Sequence, residues 1–289
     1  MSQLNFYVPV ASDIRAKNLT DLMVRSWFNL SKRRRIQPIE HRIGDDYVHI
    51  SAPPAYGIAN VWDQDLLIYG ISAIRHDLNR GKPFDPTVRF VAADFWEFTG
   101  RRKLGAKAGG AEFKRIWESL QRLQSTVIQT SIRSESSTRR TRGISWVNEV
   151  DQWVDGEGNK HLGYQMKLPD WITAPIRKER PDILTLNSQY FRLDSGLERF
   201  LYQFVRKSAG YRDSENGWFE SADRLYEKSA STGTKDLFWH RLIKILEKRE
   251  FQLLEYQIGI QQRGRQRGLV FSRSKFFPDQ SHPLIINHV

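Results

Sequence analysis

Apolar residues recur at helical spacing in several stretches of the chain, with strand-like segments between them. Trp62, Leu66, Leu67, Ile71, Ile74 and Leu78 form one stripe, which predicts a helix over 60–78 with Asn60 as its cap. Asp63 and Asp65 fall in its first turn, where the helix dipole favours carboxylates, so a structural role is expected of them. Val88 to Val91 reads as a short strand and Ala93 to Thr99 as a short helix, with Phe95, Trp96 and Phe98 expected in the core. Phe113, Ile116, Trp117, Leu120 and Leu123 continue at helical spacing. Val127, Ile128 and Ile132 then alternate with Thr126 and Thr130 as a strand does.

The same layout returns in the second half. Trp239 to Ile258 falls under Phe113 to Ile132 without a gap, so Leu242 lies under Ile116 and Leu246 under Leu120. Polar positions coincide as well: His240 with Lys114, Arg241 with Arg115 and Lys248 with Arg122. Each copy is followed by a basic turn between strand-like segments, Thr138 to Gly143 in the first and Arg263 to Gly268 in the second. Agreement in element order and in turn charge points to duplication.

The remaining segments fill in around these copies. Asp13 to Leu30 reads as a short helix that ends in the basic run Lys32-Arg33-Arg34-Arg35, a solvated segment or a phosphate contact. Two strands flank Gly44-Asp45-Asp46 as a hairpin. Ile144 to Val154 and His161 to Leu168 alternate like paired strands, extending the first hairpin into a three-stranded meander. Pro169, Pro175 and Pro181 predict a linker. Beyond it, Leu193 to Val205 predicts a helix capped by Asp194 or Ser195, Ser221 to Lys228 a second and Lys235 to Arg249 a third, before a tail from Phe277 onward.

A helix, a turn, an exposed basic helix and a basic hairpin make a winged helix-turn-helix. The expected fold is therefore α+β, with two tandem winged helix-turn-helix domains. The boundaries are 1–35 for an N-terminal segment, 36–168 for the first domain, 169–181 for the linker and 182–289 for the second domain. Such a helix fits the DNA major groove, where Arg and Lys contact base edges, while a basic hairpin reaches the backbone or minor groove. The DNA-binding candidates are Lys114, Arg115, Ser119 and Arg122, with Arg139, Arg140 and Arg142 on the first hairpin. In the second copy they are Lys235, His240, Arg241, Lys244 and Lys248, with Arg263, Arg265 and Arg267.

Composition supports that class. The 289 residues suit two domains, and 45 Lys plus Arg against 33 Asp plus Glu leave a net charge of +12, which points to a polyanionic partner. Cysteine is absent, which excludes disulfides and thiolate metal sites. The chain has no apolar run of spanning length and no signal-peptide core, so a cytoplasmic location without membrane contact is expected. Catalytic motifs fail. Gly100 to Lys107 resembles a phosphate loop, but its lysine is one place late and no Ser or Thr follows. The His residues offer no nickase metal pair and no HExxH. A non-enzyme without metal or cofactor is expected.

Several strings resemble the plasmid replication initiator protein A family, relatives of the tandem winged-helix plasmid initiators. They are Ser26 to Arg33, Pro38-Ile39-Glu40, Val61 to Ile68 and above all Leu120 to Arg133, within a resemblance over roughly residues 20–275. Trp27 departs from the pattern, where a smaller aromatic or a proline-flanked position is expected. The resemblance implies binding to repeated origin sites (iterons) in double-stranded plasmid DNA, opening of an A·T-rich region, and recruitment of the host replication initiator and replicative helicase. It also implies a homodimer, held through the first domain, that represses its own gene and is in equilibrium with a monomer that initiates. A plain winged-helix repressor is the alternative reading, and a DNA-nicking enzyme the third.

Overall fold

The computed structural model describes residues 14–43, 46–101, 110–131, 142–155, 157, 161–209 and 217–273. The expected turn at Gly44-Asp45, the glycine-rich turn over 102–109, the tip residues Arg139 and Arg140, and the tail lie outside the described residues. The fold is α+β, with helices and antiparallel sheets in both halves.

The first half contains β1 (Lys17–Leu19), α1 (Thr20–Met23), β2 (Ile39–Ile43), β3 (Asp46–Ser51), α2 (Gln64–Asn79), β4 (Thr87–Phe90), α3 (Ala92–Phe98), α4 (Gly110–Ser125), β5 (Val127–Thr130), β6 (Arg142–Ser145), β7 (Glu149–Val154), β8 (His161–Lys167) and α5 (Asp170–Arg177). The second holds β9 (Ile183–Thr185), α6 (Gly196–Ser208), β10 (Trp218–Ser221), α7 (Ala222–Ser229), α8 (Lys235–Lys248), β11 (Gln252–Leu253), β12 (Tyr256–Arg263) and β13 (Gln266–Arg273).

The two halves repeat one connectivity. In the first, α2, β4, α3, α4, β7 and β8 follow in order and the strands pair as β4-β8-β7; in the second, α6, β10, α7, α8, β12 and β13 follow in order and pair as β10-β13-β12, with β11 added at the edge. The first copy carries an insertion. Strands β5 and β6 pair with each other, as the sequence predicts, but β5 also pairs with β3, giving a separate sheet in the order β2-β3-β5-β6.

That insertion corrects two expectations. The three-stranded meander does not form, because Trp146 and Val147 leave the β6 edge and bury completely, and β7 joins the other sheet. Trp146 stacks on Phe28 at 4.5 Å and meets Trp171 at 5.3 Å, so burial of large aromatic surface fixes the break. Of the three hairpin arginines expected from the sequence, the described one, Arg142, therefore belongs to the inserted sheet and not to the hairpin matching β12–β13. Arg142 opens β6, its backbone opposite Thr130. The hairpin that does match is β7–β8, whose turn carries Asp155 and Glu157.

Nor is 169–181 an open linker. Pro169 takes the N-cap position of α5 and Pro175 sits within the helix, while Ile172 and Ile176 are fully buried. Arg75 Nη1 donates to the Ile176 carbonyl at 3.1 Å and Trp171 Nε1 to the Ser145 carbonyl at 3.0 Å, so α5 is fastened to α2 and β6.

The N-terminal segment also differs from the expected helix. Lys17–Leu19 pairs with Leu184 and its neighbours across the sequence, and the helix shrinks to α1. Leu22, Trp27 and Phe28 enter the first core, whereas Ala16 and Met23 enter the second. This segment thus stitches the halves together.

Candidate nucleic-acid interface

Helix α8 is set up by its local sequence. Thr234 caps it, accepting from Leu237 N at 3.2 Å, and Phe238, Leu242 and Leu246 turn inward at spacing four. At 100° per residue His240 and Lys244 lie opposite that stripe, and both are exposed. Arg241 and Lys248 lie on one flank, while Asp236 and Trp239 lie on the other. Lys248 stands 3.8 Å from Asp194, a loose pair with both side chains in solvent.

The β12–β13 hairpin runs along the Asp236 flank. Arg263 pairs with Gln266 across a two-residue turn whose first residue, Gly264, has φ +60, the position where a II′ hairpin favours glycine. Arg267 donates to Asp236 Oδ1 at 2.5 Å and covers Trp239 at 5.3 Å, which docks the hairpin on α8. Arg263 lies over Phe219 at 4.7 Å and bonds Gln261. Arg265, at the tip, is exposed and has no hydrogen bond or ion pair among the described residues. Lys235 pairs with Asp223 at 2.7 Å, and that bond raises its pKa. The structure therefore leaves His240, Arg241, Lys244 and Arg265 open, and commits Lys235 and Arg267 to structure.

The first copy is different. Lys114 and Arg115 are exposed on α4, with Lys114 only 3.9 Å from Glu118. Arg122 is not available. Its guanidinium donates to both Asp63 oxygens, at 2.9 and 2.8 Å, and to Ser119 Oγ at 3.1 Å. Burial pulls its pKa down, but the Asp63 bonds outweigh that and hold it above the ordinary arginine value. Arg122 and Ser119 are thus a support for the α2–α4 contact, a correction to their place among DNA contacts.

The cause lies in α2. Asp63 and Asp65, both buried, answer Arg122 on one side and Arg101 and Arg199 on the other. Asn60 caps the preceding turn, accepting from Trp62 N and Asp63 N.

The model of a family described as replication initiator protein A matches residues 17–258 of this chain. The chain belongs to that family. A Wigglesworthia glossinidia brevipalpis protein, described as a replication protein, is 26% identical over 234 residues, which cover 75% of this chain and 82% of that relative. A crystal structure of domains 2 and 3 of RctB aligns with a TM-score of 0.61 at 14% identity, over 88% of this chain and 98% of that one. A second RctB structure of the same domains gives 0.56 at 13% identity, over 85% and 94%. The RctB likeness concerns fold.

For a replication initiator, the residues that sequence reasoning left unassigned are as informative as those it named. Lys32 and Arg33 are exposed on a segment that runs beside α8, a proximity with no local signature. Among the described residues no helix is long and apolar enough to cross a membrane.

Proposed function

We propose that this replication initiator acts by binding double-stranded DNA at a plasmid origin through two winged helix-turn-helix units. The first unit is α2, β4, α3, α4 and the β7–β8 hairpin, and the second is α6, β10, α7, α8 and the β12–β13 hairpin. The observation that carries this is the second unit's outer surface: His240 and Lys244 project from an exposed helix flanked by a hairpin whose tip arginine, Arg265, is unengaged among the described residues. A helix of that kind reads base edges in the major groove, and the hairpin holds the adjacent backbone. Among the described residues the first unit presents fewer open cations, Lys114 and Arg115, and the described residues of its β7–β8 turn include Asp155 and Glu157. Its share is orientation and weaker backbone contact through Lys114 and Arg115.

Within that reading the protein binds iterons, promotes opening of an A·T-rich region and recruits the host initiator and helicase. It also represses its own gene as a dimer in the cytoplasm. No covalent chemistry is part of the proposal. Of Tyr190, Tyr202 and Tyr226, the tyrosines a nicking reaction would draw on, the first two are buried, and burial pushes both hydroxyls far above the ordinary tyrosine value, while the half-buried Tyr226 donates its hydroxyl to the Gly233 carbonyl at 2.7 Å.

A nuclease footprint of the full chain on DNA flanking its gene tests the proposal. Protected blocks on direct repeats of about two helical turns support it. A lone protected palindrome would make the protein a repressor, and magnesium-dependent nicking of supercoiled DNA would make it an enzyme.

A further inference from the structure

A helix lying in the major groove is bordered by two phosphate backbones, one on each side. On α8 the β12–β13 hairpin covers one flank only. The other flank opens into a cleft of about 470 Å³, walled by Arg241, Lys244 and Lys248 on the helix and by Asn29, Leu30 and Ser31 on the N-terminal segment. Among the described residues no acidic side chain lines it. The residues that follow Ser31 are Lys32 and Arg33, both exposed.

The segment is built rather than draped. Asn29 Nδ2 donates to the carbonyls of Ser31 at 2.9 Å and Arg33 at 2.7 Å, and Asn29 Oδ1 accepts from Ser31 N at 3.1 Å. Asn29 also bridges to Asn60 in the first half, its N–H donating to the Ala59 carbonyl at 3.0 Å. Leu30 lies so close to α6 that a Cβ on Gly196 would meet the Leu30 carbonyl oxygen at 2.0 Å, so only glycine fits there. Arg35 donates to the carbonyls of Gln37, Pro38 and, at 2.8 Å, Ala230 in the second half. Arg34 donates to the Ala55 carbonyl. The last two arginines of the run are thus spent on geometry. Lys32, whose ammonium stands 5.0 Å above the Trp62 ring, and Arg33 retain their charge at the surface.

We propose that Lys32 and Arg33, with Arg241 and Lys248 across the cleft, form a second phosphate clamp that grips the duplex backbone on the side of α8 away from the β12–β13 hairpin. This rests on the reading of α8 as a groove-binding helix and adds the partner of its uncovered flank. The ligand chemistry is the phosphodiester backbone, recognised by charge without base preference. The clamp also explains why a basic run far from α8 in sequence is anchored to both halves: its position relative to the helix has to be fixed for both backbones to be held together.

The test uses the full chain on a mixed-sequence duplex of about three helical turns, and on one of its single strands, over a salt series. Each phosphate contact removed lowers the slope of log affinity against log salt by about 0.9. The double variant Lys32→Ala/Arg33→Ala should lower the duplex slope by about two, while Lys32→Arg/Arg33→Lys keeps the wild-type slope. Both residues are exposed, and coincident thermal melts would show that the variants fold. If the Ala pair leaves the slope unchanged while Arg265→Ala lowers it, the second clamp is wrong and the reading of α8 survives. A loss confined to the single strand would also overturn the clamp. Absence of salt-dependent duplex binding by the wild type would remove both.

Discussion

Arg199 Nη1 donates to Asp65 Oδ1 at 2.7 Å with both side chains shut off from solvent, and so joins α6 of the second half to α2 of the first. Arg199 also donates to the carbonyls of Phe191 and Leu193, and Arg101 takes the other Asp65 oxygen. Beside this pair Gln203 Nε2 donates to Gln64, and Asn18 donates to Gln203 at 2.7 Å. The halves share a polar seam whose groups are mutually satisfied, which fixes their relative placement.

Removing one partner should therefore cost more than removing both. Asp65→Ala leaves Arg199 buried without its counterion and should destabilise by about 3–5 kcal/mol, whereas Asp65→Leu/Arg199→Met should recover much of the loss. Urea unfolding of the three proteins measures this, and a cost under about 1 kcal/mol for Asp65→Ala would deny the pair its role.

The seam also reverses what the prolines of 169–181 suggest. A cut in the exposed stretch Arg177 to Arg180 should leave the two fragments associated, because β1 pairs with β9, Phe98 meets Phe191 at 5.2 Å and Asp65 holds Arg199. Size exclusion of the nicked protein should show one species of full mass. Two separately eluting folded halves would contradict this account.

Arg122→Ala should act on stability and not on sequence preference. It leaves the buried Asp63 carboxylate without its charged partner, at a cost of about 2–3 kcal/mol, and takes nothing from the surface that meets the bases. A variant with wild-type unfolding and altered site preference would return Arg122 to the DNA surface.

Acid should weaken the junction through His41. Burial lowers its pKa most, the Ser26 carbonyl at 2.7 Å and the Glu227 backbone oppose this, and the charges of Arg25 and Arg35 add to the lowering. The unfolded chain then takes up a proton near pH 6.5 that the folded chain refuses, so stability is full above that pH and is lost as pH falls below it. His41→Gln should flatten the difference in urea midpoint between about pH 7.5 and 5.5. An unchanged difference would place the acid sensitivity elsewhere.

What the sequence made legible follows from which interactions are local. The stripes of α2, α4, α6 and α8 were readable because helical contacts repeat every three to four residues. Ser195, one of two candidate caps, takes the role because Glu198 completes a capping box with it. Strand partners were not readable: β5 and β7 have similar alternation, and only distant segments, β3 and β4–β8, decide which sheet each joins. In α5 the prolines masked the spacing of Ile172, Pro175 and Ile176, a buried helical face. Arg122 and Lys244 are both cations on amphipathic helices. A carboxylate brought from α2 separates their fates, and no local pattern reports it.

The central claim, that α8 reads bases in a duplex, is tested most directly by one set of affinities. Wild type, Lys244→Ala and Arg265→Ala are each titrated against the footprinted site and its single-base variants. Lys244→Ala should lose about 1–3 kcal/mol of discrimination at particular base pairs, while Arg265→Ala should weaken every sequence alike. Equal losses on all sequences for Lys244→Ala, repeated for His240→Ala, would show that α8 touches only backbone and would contradict the account.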